Sequence, residues 1–307
     1  MKVIDIPFEK KKTRFITTFK VKLKKIKEEA KIGQYFLKEV CNNKSGFGDI
    51  FIVIDEREEE YIMKIQKKKI KKKNYILQEY EIYRRLYDSN CNYISNYHVY
   101  FTSSSLKCLV LNKFDIDLKI LFNNNRMFFY KYHKKILTKI FKILEDIHNI
   151  GVIHGDIKFA NFMYNFKEDK IYIIDFGCSC VWRKKFIEHT KKNRRITGTL
   201  RYASINAHKG IQLNNYNDIE SLLYAILEIE MYPRKLIWKG VASNKSTIDR
   251  WDLIYDIKKK LLRNYKNIRP KKIRRLFKYY VEKSNSIHRY ENVVNYDEFI
   301  KIIDKIY

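Results

Sequence analysis

The stretch His154-Gly155-Asp156-Ile157-Lys158-Phe159-Ala160-Asn161, followed downstream by Ile173-Ile174-Asp175-Phe176-Gly177, decides how this sequence is read. Moving a phosphoryl group onto a hydroxyl needs an Asp beside the attacking oxygen and a Lys near the transferred group. It also needs an Asn and a second Asp facing divalent ions. Asp156, Lys158, Asn161 and Asp175 supply that set in that order. Each alone is an ordinary surface or capping residue, but four within one short window point to a site. His154 reads as structural, holding the loop backbone two residues before Asp156. Cys178-Ser179-Cys180 reads as packing, because a closed metal site needs a second pair of ligands.

Upstream, short apolar runs at Tyr35-Phe36-Leu37, Ile50 to Ile54 and Tyr61 to Ile65 suit a small antiparallel sheet. Between the first two lies Asn43-Lys44-Ser45-Gly46-Phe47-Gly48. Against the phosphate-cradling pattern G-x-G-x-x-G, Asn43 and Ser45 replace the first two glycines and Gly48 keeps the third. Asn tolerates left-handed backbone and Ser is small, so a phosphate loop remains compatible with these residues; an ordinary hairpin turn is the plain alternative. From Asn74 to Tyr87 the spacing predicts a helix with Ile76, Glu79, Ile82, Tyr83 and Leu86 on one face. Glu79 falls on that apolar stripe and Glu81 does not. A carboxylate there needs a buried cation, and Lys64 on the preceding strand is the natural partner.

A strand is predicted at Leu109-Val110-Leu111 and a long helix over 128–149, where Ile136, Ile140, Ile143 and Ile147 recur and Gly151 lies just past the end. It leads through Val152-Ile153 into the catalytic stretch. Phe162 to Tyr164 and Ile171 to Ile174 form a hairpin that presents Asp175.

The chain has 307 residues and 45% hydrophobic content, enough for one large domain or two lobes. Lys+Arg 64 against Asp+Glu 35 gives +29, a balance that would suit nucleic acid or acidic partners. The abundance of Lys, Ile, Asn and Tyr, which share A/T-rich codons, makes a diffuse basic surface the simpler account. Nucleic acid would then bind only through that surface. Cys41, Cys91, Cys108, Cys178 and Cys180 form no disulfide or metal framework, as expected of a reducing compartment. No apolar run approaches the ~20 residues that span a bilayer, and the N-terminus has no signal-type segment. A cytoplasmic protein is expected, with the lysines from Lys67 to Lys73 a candidate nuclear-localisation cluster. Residues 1–34 are a basic leader with a helix expected over part of 20–31.

Thr197-Gly198-Thr199-Leu200-Arg201-Tyr202-Ala203-Ser204-Ile205-Asn206-Ala207-His208-Lys209-Gly210 carries Ser-Ile-Asn where most protein kinases have Ala-Pro-Glu. With Asn112-Lys113-Phe114, Asp117-Leu118 and Asn217-Asp218-Ile219-Glu220-Ser221-Leu222, it resembles the casein kinase 1 and vaccinia-related kinase group. His-Gly-Asp in place of His-Arg-Asp and the segment Asn295-Tyr296-Asp297-Glu298-Phe299 are similar to the poxviral members of the vaccinia-related branch. The resemblance covers about residues 35–305.

The resemblance implies an α+β, bilobal eukaryotic-type protein kinase fold. After the N-terminal extension 1–34, the kinase domain is 35–307: a β-rich N-lobe over about 35–111, a hinge over about 112–118 and a helical C-lobe over about 119–307. It implies transfer of the ATP γ-phosphoryl group to Ser or Thr of protein substrates; a monomer is expected. Asp156 would accept the hydroxyl proton, Lys158 stabilise charge, Thr199 bridge the two, and Asn161 and Asp175 hold Mg²⁺. Lys64 with Glu79 would position phosphates beneath the loop of Asn43, Ser45, Gly46 and Gly48. Leu111 would limit access to the rear of the pocket, and the hinge backbone around Lys113 would meet adenine. Asp218 would brace the catalytic-loop backbone. Leu223, where the group commonly has Gly, is expected to alter helix packing. The basic cluster Lys191, Lys192, Arg194 and Arg195 leads to the expectation of acidic or phosphorylated substrates, and group members make DNA-associated proteins candidates. The competing expectation, motivated by Asn43 and Ser45, is a silent pseudokinase scaffold.

Overall fold

A computed structural model describes residues 4–5, 31–45, 48–68, 74–103, 105–182, 198–241, 246–286 and 294–307. Most of the leader, most of the lysine cluster after Lys67, and the cluster Lys191, Lys192, Arg194 and Arg195 lie outside them. The chain divides into two units, Met1–Asp115 and Ile116–Tyr307, and the division falls within the stretch expected as a hinge.

The first unit is built on strands β1 (Ile4–Asp5), β2 (Lys31–Ile32), β3 (Tyr35–Ser45), β4 (Gly48–Ile54) and β5 (Glu60–Lys67), helix α1 (Tyr75–Asp88), and strands β6 (His98–Thr102) and β7 (Leu106–Asn112). The strands join in the order β1-β6-β7-β5-β4-β3-β2, antiparallel except where β1 meets β6. Alternation along the strands sends Phe51, Val53, Met63, Ile65, Phe101, Cys108 and Val110 into one core with Tyr35. Helix α1 begins where the Asn74 side chain accepts the amide of Leu77 at 3.1 Å. Its buried face is Ile76, Glu79, Tyr80, Ile82, Tyr83 and Leu86, while Glu81 is exposed. The expected stripe is therefore the packed one.

The second unit opens with β8 (Ile116–Asp117), α2 (Leu118–Asn124) and α3 (Arg126–Asn149), then β9 (Val152–Ile153), β10 (Phe162–Asn165), β11 (Lys170–Ile173) and β12 (Cys180–Val181). Helices α4 (Ile205–Lys209), α5 (Asn215–Glu230), α6 (Thr247–Arg263), α7 (Arg274–Ser286) and α8 (Tyr296–Ile306) complete it. On α3, Ile136, Ile140, Ile143 and Ile147 are all 2% exposed or less; burying one such side chain contributes roughly 1.5–3 kcal/mol. Helix α5 is buried from Asn215 to Ile229, so Leu223 fills core volume. Among the described residues no helix is long and apolar enough to cross a membrane.

These elements hold two short connections in place. Strand β9 pairs with β12 and delivers the chain into His154. Strands β10 and β11 pair with Phe162 opposite Ile173, so Asn161 and Ile174 are adjacent and the Ile174 amide donates to the Asn161 carbonyl at 2.9 Å.

Candidate active site

In the first unit, β5 and α1 bring Lys64 and Glu79 together. The ammonium donates to Glu79 Oε1 at 2.6 Å, with the two residues 8% and 3% exposed. Neither charge would be tolerated there alone, and each makes the other's burial affordable. Leu111 is buried on β7, in register with Ile62 of β5 and His98 of β6. Lys113 sends its ammonium to Glu60 Oε2 at 2.9 Å, and Glu60 also takes Lys38. The two cations hold the Glu60 carboxyl below the usual carboxylate range. The Lys113 side chain is thus engaged by Glu60.

Of the glycine-loop residues, Gly46 lies outside the described set, and only the backbone of Asn43 and Ser45 is described, on β3. Ser45 pairs with Gly48 across the β3–β4 turn. Gly48 has a structural duty of its own: a Cβ there would sit 2.2 Å from the Ile65 carbonyl oxygen of β5. Gly48→Ala is expected to lose about 1–3 kcal/mol of stability, the range for forcing extra atoms into a packed site. A denaturant melt of that variant within 0.5 kcal/mol of the parent would contradict it.

In the second unit, four of the sequence-predicted residues converge. Asp156 accepts the Thr199 amide on Oδ1 at 2.7 Å and the Lys158 ammonium on Oδ2 at 2.7 Å. Lys158 also donates to Thr199 Oγ1 at 2.9 Å, which closes a three-residue ring. Asn161 donates from Nδ2 to the Asp156 carbonyl at 2.8 Å and so leaves its oxygen as the remaining amide acceptor. Asp175 stands in the left-handed region, φ +67°, beside the buried ring of Phe176. A non-glycine residue held there is a local strain, the kind found where side-chain direction is functional.

His154 performs the expected scaffolding. The Asp156 amide donates to its Nδ1 at 3.2 Å, so Nε2 carries the proton and donates to the Ile174 carbonyl at 3.0 Å. One imidazole thereby ties the Asp156 loop to the residue before Asp175. Asp218 of α5 accepts the amides of His154 at 2.7 Å and Gly155 at 2.9 Å. Its 1% exposure makes those bonds strong.

Sequence reasoning did not find what lies behind Asp218. His148 Nε2 is 2.9 Å from Asp218 Oδ2, and its Nδ1 bonds the Tyr296 hydroxyl of α8. Burial, with Asp218 nearby, pushes the Tyr296 phenol well above its ordinary pKa, so it stays a neutral hydrogen-bonding group. His148 falls on the buried face of α3, which was the available signal. Burial first, then the charge of Asp156, raises the Cys178 pKa to about 12, which disfavours its thiolate. Among the described residues there is no cluster of three or more His, Cys, Asp or Glu able to hold a metal.

Known proteins similar to this chain carry kinase names. A probable casein kinase I homolog of Encephalitozoon cuniculi (strain GB-M1) is 32% identical over 200 residues, covering 64% of this chain and 61% of that protein. A probable serine/threonine-protein kinase of fowlpox virus (strain NVSL) is 34% identical over 134 residues, 42% of this chain and 43% of its own. The serine/threonine-protein kinase VRK2 of Homo sapiens is 31% identical over 133 residues, 41% of this chain and 26% of its own. The chain thus spans less than two thirds of each relative's length. All three agree with the resemblance to the casein kinase 1 and vaccinia-related kinase group. Residues 44–304 match the protein kinase domain, a span that takes in Lys64, Glu79 and the whole ring around Asp156, and the chain belongs to that family.

Proposed function

We propose that this chain is an ATP-dependent protein kinase that phosphorylates serine and threonine hydroxyls. The observation that carries the reading is the ring of Asp156, Lys158 and Thr199. It fixes a carboxylate and a cation together at one point, which is what phosphoryl transfer to an alcohol requires. The names of the serine/threonine-kinase relatives support the same class.

In this reading Asp156 orients the substrate hydroxyl and takes its proton as the oxygen–phosphorus bond forms. The bond from the γ-phosphorus to the bridging oxygen breaks and ADP leaves. Lys158 offsets charge on the phosphoryl oxygens. In the first unit, Lys64 is the cation for the nucleotide phosphates, and Glu79 fixes its direction.

The family implies ATP and a divalent metal, and the donor set fits. Asn161 and Asp175 offer hard oxygen donors, one carboxamide and one carboxylate. That suits Mg²⁺, which takes its other ligands from phosphate and water. When bound, the ion neutralises phosphate charge.

The test is incubation with γ-labelled ATP, Mg²⁺ and casein, followed by phosphoamino-acid analysis. Label on serine or threonine is expected. No transfer across divalent ions and protein substrates would favour a scaffold, and label on tyrosine would overturn the substrate class.

A further inference from the structure

Lys258 of α6 is 0% exposed, and no mechanism so far uses it. Its ammonium donates to the Leu200 carbonyl at 3.0 Å and the Ala203 carbonyl at 2.7 Å. It also lies 3.2 Å from His208 Nε2. His208 Nδ1 is 2.9 Å from the Trp251 carbonyl, which can only accept, so Nδ1 holds the proton and Nε2 is an acceptor for Lys258. Three acceptors thus meet the three N–H bonds of an ammonium. The faces of Tyr224 and Trp238 cover it, with ring centroids at 4.8 and 5.5 Å.

An ammonium in such a place is costly, and a well-packed hydrophobe would serve stability as well or better. What distinguishes Lys258 is where its bonds go. Two of them fix main-chain carbonyls in the segment Leu200–Ala203, which begins one residue after Thr199. The Trp238 indole holds the Arg201 carbonyl at 2.8 Å, and buried Glu220 holds the Ile205 amide at 2.8 Å. Thr199 is itself bonded to Asp156 and Lys158.

We propose that Lys258 is a positioning residue for phosphoryl transfer: it clamps Leu200–Ala203 from beneath and thereby sets Thr199 against Asp156 and Lys158. The proposal rests on the kinase reading above. The ammonium form meets all three acceptors, and the neutral amine, with two N–H bonds, meets two of them. Burial lowers the Lys258 pKa to about 7, with the Glu220 charge opposing. His208, Glu220 and Tyr224 are titratable groups near it, and burial raises the pKa of Glu220 and of Tyr224.

Lys258→Met keeps an unbranched side chain, one atom shorter, and removes the donors. In the full chain, kcat is expected to fall at least tenfold while the KM for ATP stays within twofold. Hydrogen exchange at the Thr199–Ala203 amides is expected to accelerate at least tenfold, with Lys64–Glu79 peptides unchanged. A kcat within twofold of the parent, or unchanged exchange at Thr199–Ala203, overturns the proposal. So does a nucleotide KM that weakens in step with kcat, since that signals general disruption. If K258M lacks a cooperative melt, K258Q, one atom shorter and with one donor fewer, is expected to lower kcat at least threefold with the same pattern of faster exchange, and a kcat and exchange equal to the parent's overturn the proposal. If the parent itself transfers no phosphate, the kinase reading fails alone, and exchange at Thr199–Ala203 still decides the positioning claim.

Discussion

Asp156→Asn is expected to lower the rate of phosphoryl transfer by about 10²–10⁴-fold, the range for losing a positioned general base. The side chain keeps its shape and can still accept the Thr199 amide, which Asp156 holds at 2.7 Å. What changes is the atom facing Lys158, now at 2.7 Å from Oδ2. An amide NH₂ there sets donor against donor, and an amide oxygen there turns the NH₂ on Thr199 instead. Neither orientation can take a proton from an alcohol. Nucleotide affinity is expected to change little, because the pair Lys64 and Glu79, proposed above to meet the phosphates, is untouched. Single-turnover label transfer beside a nucleotide titration checks both halves. A variant within tenfold of the parent rate would remove Asp156 from the base role.

Asp218→Asn is expected to cost about 2–4 kcal/mol of stability and about 100-fold in rate, although Asp218 would touch no substrate. Its two oxygens take the His154 and Gly155 amides and face His148 Nε2. An Asn can offer one oxygen to those three groups, and its NH₂ meets another donor. Buried N–H groups left without acceptors cost about 1–3 kcal/mol each, and bonds to a charged acceptor are the stronger kind. The rate effect follows because these amides belong to the two residues before Asp156. Chemical denaturation with steady-state kinetics at a temperature where the variant is folded separates the two losses. A variant with full rate and parent stability would show that the loop supports itself.

The Lys64–Glu79 pair was legible because one rule suffices. A carboxylate on a helix's apolar stripe requires a cation, and only a few elements could supply it. The same rule applies to Lys258, which shares a buried face with Trp251 and Ile254 on α6. There it was hidden by composition: Lys258-Lys259-Lys260 is one of many lysine runs in a chain with 64 Lys and Arg, so the buried member looked like its solvated neighbours. His148 was obscured differently. Its partners Asp218 and Tyr296 lie 70 and 148 residues away, and local periodicity places a residue on a face without saying what that face meets. The loop from Asn43 to Gly48 was read by likeness to a phosphate cradle, whereas the contact that requires Gly48 is with β5 of its own sheet.

Gly155 is where this sequence departs from the Arg of many kinases, and its backbone stands at φ +78°. A Cβ there would lie 2.8 Å from the Cys178 carbonyl oxygen, while one on Gly198, φ +83°, would lie 2.7 Å from Gly155's own carbonyl. The two glycines let main chains pass where no side chain fits. An arginine at position 155 would meet that closed space, so the Cys178 main chain would have to move apart before any side chain could stand there.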